Sequence, residues 1–152
     1  MRYADYQEIP VDIITFATDR HYLGNAWHTN EGKLKLFDYW KKRLVELFPD
    51  NITTSVGNAI FSGSRGIGKS EVAVLVACYL MYRIMCLKDA HSYFDLKPTE
   101  KICFAFMNIT KYLAEDIGNS KFQETVKSSP WFLSHGVITG TVNKVWNPPD
   151  YI

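Results

Sequence analysis

The stretch Gly63-Ser64-Arg65-Gly66-Ile67-Gly68-Lys69-Ser70 decides the fold of this chain. It fits G-x-x-x-x-G-K-[ST] at every fixed position, the pattern of the phosphate-binding P-loop. Glycines let such a backbone curl tightly and bring its N–H groups close to phosphate oxygens. The helix that follows turns the positive end of its dipole towards the same oxygens. Lys69 is placed to reach the β- and γ-phosphates of a nucleotide, and Ser70 to offer its hydroxyl to Mg²⁺. The cofactor reading is ATP with Mg²⁺. The binding residues are Gly63, Ser64, Arg65, Gly66, Ile67, Gly68, Lys69, Ser70 and the adjoining Glu71, with Ser70 on the metal.

A working P-loop lies between a buried strand and a helix. Upstream, Asn58-Ala59-Ile60-Phe61-Ser62 reads as a short buried strand, and downstream Glu71 to Leu87 is a long apolar run rich in helix formers. Lys101 to Met107 reads as a second strand, with the continuous apolar character of a sheet covered on both faces. Together they predict a right-handed βαβ unit. Gly136 to Val142 and Val145-Trp146 suggest a hairpin. The fold class expected is α/β: a partial P-loop NTPase (Rossmann-like) three-layer sandwich with parallel strands and a C-terminal β-hairpin.

The rest of the chain gives an amphipathic helix over Leu34–Phe48. Leu36, Phe37, Trp40, Leu44, Leu47 and Phe48 recur at helical spacing and Pro49 ends it. Asn30-Glu31-Gly32 reads as a turn. Helices are expected over Thr110–Ile117 and Ser120–Lys127, the second stopped by Ser128-Ser129-Pro130. Residues 1–33 read as a loosely structured N-terminal arm, and 34–152 as the N-terminal portion of a P-loop ATPase domain.

At 152 residues the chain is one domain by length. A net charge of +1 advertises no polyanion partner. Cys78, Cys86 and Cys103 lie in apolar segments without metal spacing and read as buried reduced thiols of a cytoplasmic-type protein. The run from Val72 to Leu87, broken by Arg83, falls short of the ~20 residues a spanning helix needs, so no membrane is expected.

A P-loop hydrolase also needs an acid at the end of another strand, to hold the metal's water shell and orient the attacking water. No apolar strand ending in Asp-Glu occurs here. Glu115-Asp116 follows Tyr112-Leu113-Ala114 on a helical pattern. The chain therefore reads as the front part of a larger ATPase, stopping before its acidic Walker B strand. Alone it is expected to turn over very slowly or not at all.

Five stretches resemble the large terminase subunit, the viral DNA-packaging motor of tailed phages. Ser64 to Ser70, with Arg65, fits the family's loop Gly-x-Arg-Gly-x-Gly-Lys-Ser. Asp19-Arg20-His21-Tyr22-Leu23-Gly24 looks like the segment ending in Tyr-Leu-Gly that often precedes the ATPase core. Leu36 to Leu44 lies where the family has its adenine-contacting motif. Ile102 to Asn108 with Ala114 to Val126 looks like the second strand and its helix, and Ser128 to Phe132 like the link into a β-rich insertion. The family's adenine motif carries a Gln where this chain has Trp40, which the resemblance therefore places near the base.

The resemblance implies an ATPase that translocates double-stranded DNA into a procapsid. It also implies Arg65 as an arginine finger in cis beside Lys69, and a small terminase subunit, a portal and further copies of the chain as partners, in a host cytoplasm. Two other readings stand beside it: another P-loop ATPase, such as a helicase-like one, or a nucleotide-binding module without turnover.

Overall fold

The computed structural model describes residues 3–29, 31–55, 57–105, 107, 118–142 and 144–152. Its helices are α1 (Ile13–Thr18), α2 (Gly24–Trp27), α3 (Asp38–Leu47), α4 (Lys69–Met85), α5 (Ala90–Tyr93), α6 (Lys121–Lys127) and α7 (Pro130–His135). A 3₁₀ turn spans Tyr3–Asp5, and two strands follow α7, β1 (Val137–Thr139) and β2 (Val145–Asn147).

The core centres on α4, which α1 and α6 contact directly. Val72, Val74, Leu75, Cys78, Tyr79, Met81, Tyr82 and Met85 are all buried on it, spread round the helix rather than along one stripe. That is the pattern of a helix covered on most of its sides. No helix among the described residues is long and apolar enough to cross a membrane.

An aromatic cluster forms the centre. Phe16 of α1 stacks on Tyr82 with ring centroids 4.7 Å apart, and Trp131 of α7 meets Tyr82 edge-on at 4.6 Å. The two tyrosine hydroxyls are satisfied by one residue: Val11 donates its N–H to Tyr82 at 3.0 Å, and its carbonyl accepts from Tyr79 at 2.9 Å. Asp12 then caps α1 by accepting from the N–H groups of Ile14 and Thr15. Residues 13–23 of the stretch read as a loose arm are thus core: Ile13, Phe16, Ala17 and Leu23 are all buried.

Helix boundaries follow the sequence signals. The predicted helix 34–48 forms over Asp38–Leu47, with Phe48 donating its N–H back to Leu44 at the end. Residues 34–37 instead return along Trp27–Thr29. Lys35 donates to the Trp27 carbonyl at 2.7 Å and Thr29 to that of Lys33 at 2.8 Å, closing the expected turn at Gly32. Ser129 caps α7 by accepting from the Phe132 N–H, with Pro130 in the first turn, where its missing N–H costs nothing. The expected helix over 110–117 lies outside the described residues.

The hairpin forms as predicted, antiparallel, with Ile138 opposite Trp146. Trp146 is its anchor: the indole donates to the Phe132 carbonyl at 2.8 Å, and Gln123 of α6 exchanges two hydrogen bonds with its backbone. Gly136 is fixed by this ring, since a Cβ there would lie 2.2 Å from the indole nitrogen.

The parallel sheet does not form among the described residues, whose one sheet is β1–β2. Residues 58–62 form no strand and pair with no other strand among the described residues, and Ile60 is 93% exposed. Residues 101–105 form no strand either. Ile102 and Phe104 pack on the core while Lys101, Cys103 and Ala105 face solvent, and Ile102 donates to the Tyr151 carbonyl at 3.0 Å. The physical reason is that a ladder is a property of pairs: a sequence marks β tendency, but hydrogen bonding needs a neighbour at the right edge. Cys103 is accordingly exposed, contrary to the reading of three buried thiols, whereas Cys78 and Cys86 are buried as expected. Burial pushes both of those thiols well above their ordinary range, which leaves them inert.

Candidate functional site

Gly63 to Ser70 forms a turning loop that ends in the first turn of α4. Gly68 is the hinge. Its φ of 84° lies in the left-handed region, which side chains avoid, and its carbonyl accepts the first helical bond from Val72 at 3.0 Å. The loop thus turns directly into the helix, with the N–H groups of the first turn of α4 unpaired within the helix, as an anion site requires.

Lys69 curls back over this loop. Its ammonium donates to the carbonyls of Gly63 at 2.9 Å and Ser64 at 2.6 Å. An ammonium has three donors, so two hold the loop closed and one remains for a phosphate oxygen. Ser70 is exposed in the same turn. A single hydroxyl suits Mg²⁺, which keeps several waters and takes most of its other ligands from phosphates. No cluster of three or more His, Cys, Asp or Glu able to hold a metal occurs among the described residues. Arg65 and Ser64 are exposed at the loop tip.

Trp40 supports the loop from behind. It is 4% exposed, and its indole N–H donates to the Ile67 carbonyl at 2.7 Å. Its ring meets Phe61 edge-on at 5.6 Å, tying α3 to both sides of the loop. Replacing Trp40 with Phe keeps most of the apolar contact and leaves the Ile67 carbonyl without its donor. We expect a loss of about 1 kcal/mol in unfolding free energy, read by denaturant titration, and a weaker grip on phosphate through the loosened loop. An unchanged midpoint would show that the hydrogen bond adds nothing.

Glu71, next to Ser70, forms an ion pair with Lys121 at the start of α6. Both side chains are about one-third to one-half exposed, at 35% for Lys121 and 47% for Glu71. The pair's main effect is therefore to join two elements rather than to add stability. Between these elements and α3 opens a cavity of about 630 Å³, floored by Gly66, Ile67 and Gly68.

Gly63 to Glu71 and Trp40 are therefore brought together. Sequence reading missed Lys121, Trp27 and Phe37, which line the same cavity. Phe37 carried a signal, standing three residues before Trp40 on one helical face. Lys121 carried none, because its partner lies 50 positions away.

Comparison with known families gives a match to a model described as "Uncharacterized protein MJ0330, N-terminal P-loop domain", over residues 1–144. The chain belongs to this P-loop domain family. The match takes in the loop, α4, the cavity walls and the first strand of the hairpin. No match was found among curated proteins or among solved structures. As a P-loop domain the chain is assigned to nucleotide binding and to the P-loop NTPase fold. The match speaks of a P-loop domain and not of DNA packaging.

Proposed function

We propose that this P-loop domain binds ATP or ADP with Mg²⁺ and serves as the nucleotide-binding part of an NTP-hydrolysing enzyme. The observation that carries this reading is the loop itself: Gly68 in the left-handed region at the start of α4, with Lys69 folded over the Gly63 and Ser64 carbonyls. In this reading Gly63 to Gly68 cradle the phosphates with backbone N–H groups. Lys69 would neutralise the β- and γ-phosphates, and Ser70 would hold Mg²⁺, which would supply further charge balance there. Arg65, exposed at the loop tip, swings to the γ-phosphate as charge develops there, which is the chemistry of an arginine finger. Trp40 stands on the base side of the loop.

The finer reading is a DNA-packaging motor, with double-stranded DNA, a small terminase subunit, a portal and further copies of the chain as partners. It rests on the sequence resemblance alone. A second reading, nucleotide binding without turnover, is favoured by one observation: Glu71, the carboxylate nearest the loop in sequence, is engaged by Lys121. A water-orienting acid positioned in the site is what hydrolysis would need.

Calorimetry with ATP tests the common core of both readings. Binding is expected, several-fold tighter with Mg²⁺ than with EDTA. Phosphate release near background would favour the module without turnover. No binding of ATP in either condition would overturn the proposal.

A further inference from the structure

We propose that the cavity beside the loop is the nucleoside pocket of the ligand whose phosphates occupy Gly63 to Ser70. Trp27 and Phe37, rather than Trp40, are the residues that meet its base. The proposal rests on the phosphate reading above and deepens it.

Four observations carry it. The first is continuity. The floor of the cavity is Gly66 to Gly68 and its side is Glu71 and Val72, the loop and first turn of the phosphate site. A ligand anchored there has its next atoms in this space. The second is size: about 630 Å³ lies within the roughly 300–1,000 Å³ of small-molecule pockets.

The third is the character of the walls. Phe37 is 64% exposed although it precedes an amphipathic helix whose Trp40 and Leu44 are buried. A large ring left in solvent at a cavity wall is a stacking surface in want of a flat partner. Trp40 is not that surface, because it is buried and its N–H is already given to Ile67.

The fourth is Trp27. Its indole nitrogen is the buried side-chain polar atom that lacks a hydrogen-bond partner among the described residues. A buried donor without an acceptor destabilises the fold, and native proteins seldom keep one. Trp27 lines the cavity, and a heterocyclic nitrogen or carbonyl of a base supplies the acceptor once the indole turns its N–H edge into that space. Lys35 and the Glu71–Lys121 pair add polar groups at the rim for ribose hydroxyls and the α-phosphate. Few polar groups on a mostly apolar wall is the usual make-up of a pocket that orients a ring.

The test separates the nucleoside from the phosphates. ATP and inorganic tripolyphosphate, each with Mg²⁺, are titrated against the wild type, Phe37→Ala and Trp27→Phe. Phe37 is exposed, so its removal spares the core. Trp27→Phe keeps the ring and removes the unpaired donor, so its thermal midpoint should hold or rise. Wild type is expected to bind ATP more tightly than tripolyphosphate. Each variant should lose about tenfold in ATP affinity, the order of one base–aromatic contact for Phe37→Ala and of one hydrogen bond for Trp27→Phe, with tripolyphosphate affinity unchanged within twofold. Equal wild-type affinities for the two ligands, or ATP affinity unchanged in both variants, overturns the pocket. Failure of both ligands to bind wild type overturns the phosphate reading itself, and the pocket with it.

Discussion

Lys69→Ala is expected to lower the affinity for ATP and for tripolyphosphate by about a hundredfold or more. Lys69 is the compact point charge of the loop, and nothing else in the first turn of α4 replaces it: Ser70 is neutral and Glu71 is an acid. A charge-assisted hydrogen bond contributes roughly 1.5–3 kcal/mol. The free donor makes one such contact, and a second forms as the ammonium leaves one loop carbonyl for the β- and γ-phosphates; together they give about 3 kcal/mol or more, a hundredfold in affinity at 1.4 kcal/mol per decade. The fold should barely notice. The lost bonds are the solvent-facing ones to the Gly63 and Ser64 carbonyls, which water satisfies instead. Calorimetry beside thermal unfolding checks both halves. Affinity within about threefold of wild type would show that Lys69 does not meet the phosphates. Lys69→Arg should not rescue, since a planar fork is a different donor from a compact ammonium.

The second large effect is expected at Arg83, far from the loop. Arg83 is 5% exposed in the last turn of α4. It donates to the Ile52 carbonyl, to the Thr53 carbonyl at 3.2 Å and to the Thr54 hydroxyl at 3.0 Å. Its guanidinium also lies 5.7 Å from the ring centroids of Phe48 and Tyr79. The guanidinium thus caps the turn at 50–54, which joins α3 to the segment entering the P-loop. Arg83→Ala strands those acceptors and opens a void under two rings. The stranded Ile52 carbonyl, the one buried acceptor of the three, costs roughly 1–3 kcal/mol and the void under the rings adds about 2 more, so a loss of about 3–5 kcal/mol is expected. For a chain of this size that lowers the thermal midpoint by on the order of 10 °C. Arg83→Lys should fall between, keeping charge but not the fork. A midpoint within about 2 °C of wild type for Arg83→Ala would mean that the turn is held by other contacts.

The P-loop was legible because it is written in spacing: its glycines, lysine and serine act through the backbone and through one helix turn. The hairpin and the long core helix were legible for the same local reason, through period and breakers. Arg83 was visible only as a break in an apolar run, because the turn it caps lies about thirty positions upstream. Trp40 shows the limit within a motif. An aromatic on a helix face can stack on a base or brace a loop, and only the partner of its N–H tells which contact is made. The Glu71–Lys121 pair and the partnerless nitrogen of Trp27 exist only once α6 and the 27–35 turn are packed. The buried strands expected at 58–62 and 101–107 are not found among the described residues, because pairing depends on neighbours that no single segment encodes.

The closing of the chain on itself has a consequence for its birth. Trp131 of α7 donates its indole N–H to the Glu8 carboxylate, 123 positions earlier, and its backbone N–H to the His21 carbonyl. Asn25 reaches the Ser128 carbonyl across 103 positions. The first helix therefore has its cover supplied by nearly the last. During synthesis, at about 5–20 residues per second, the start of the chain waits on the order of ten seconds for α7 to leave the ribosome. Until then α4 covers one side of Phe16, and the side of the Phe16–Tyr82 cluster that Phe132 and Trp131 meet stands open. Nascent chains halted before Trp131 has emerged should be cut readily by protease near Phe16, and chains released after His135 should resist.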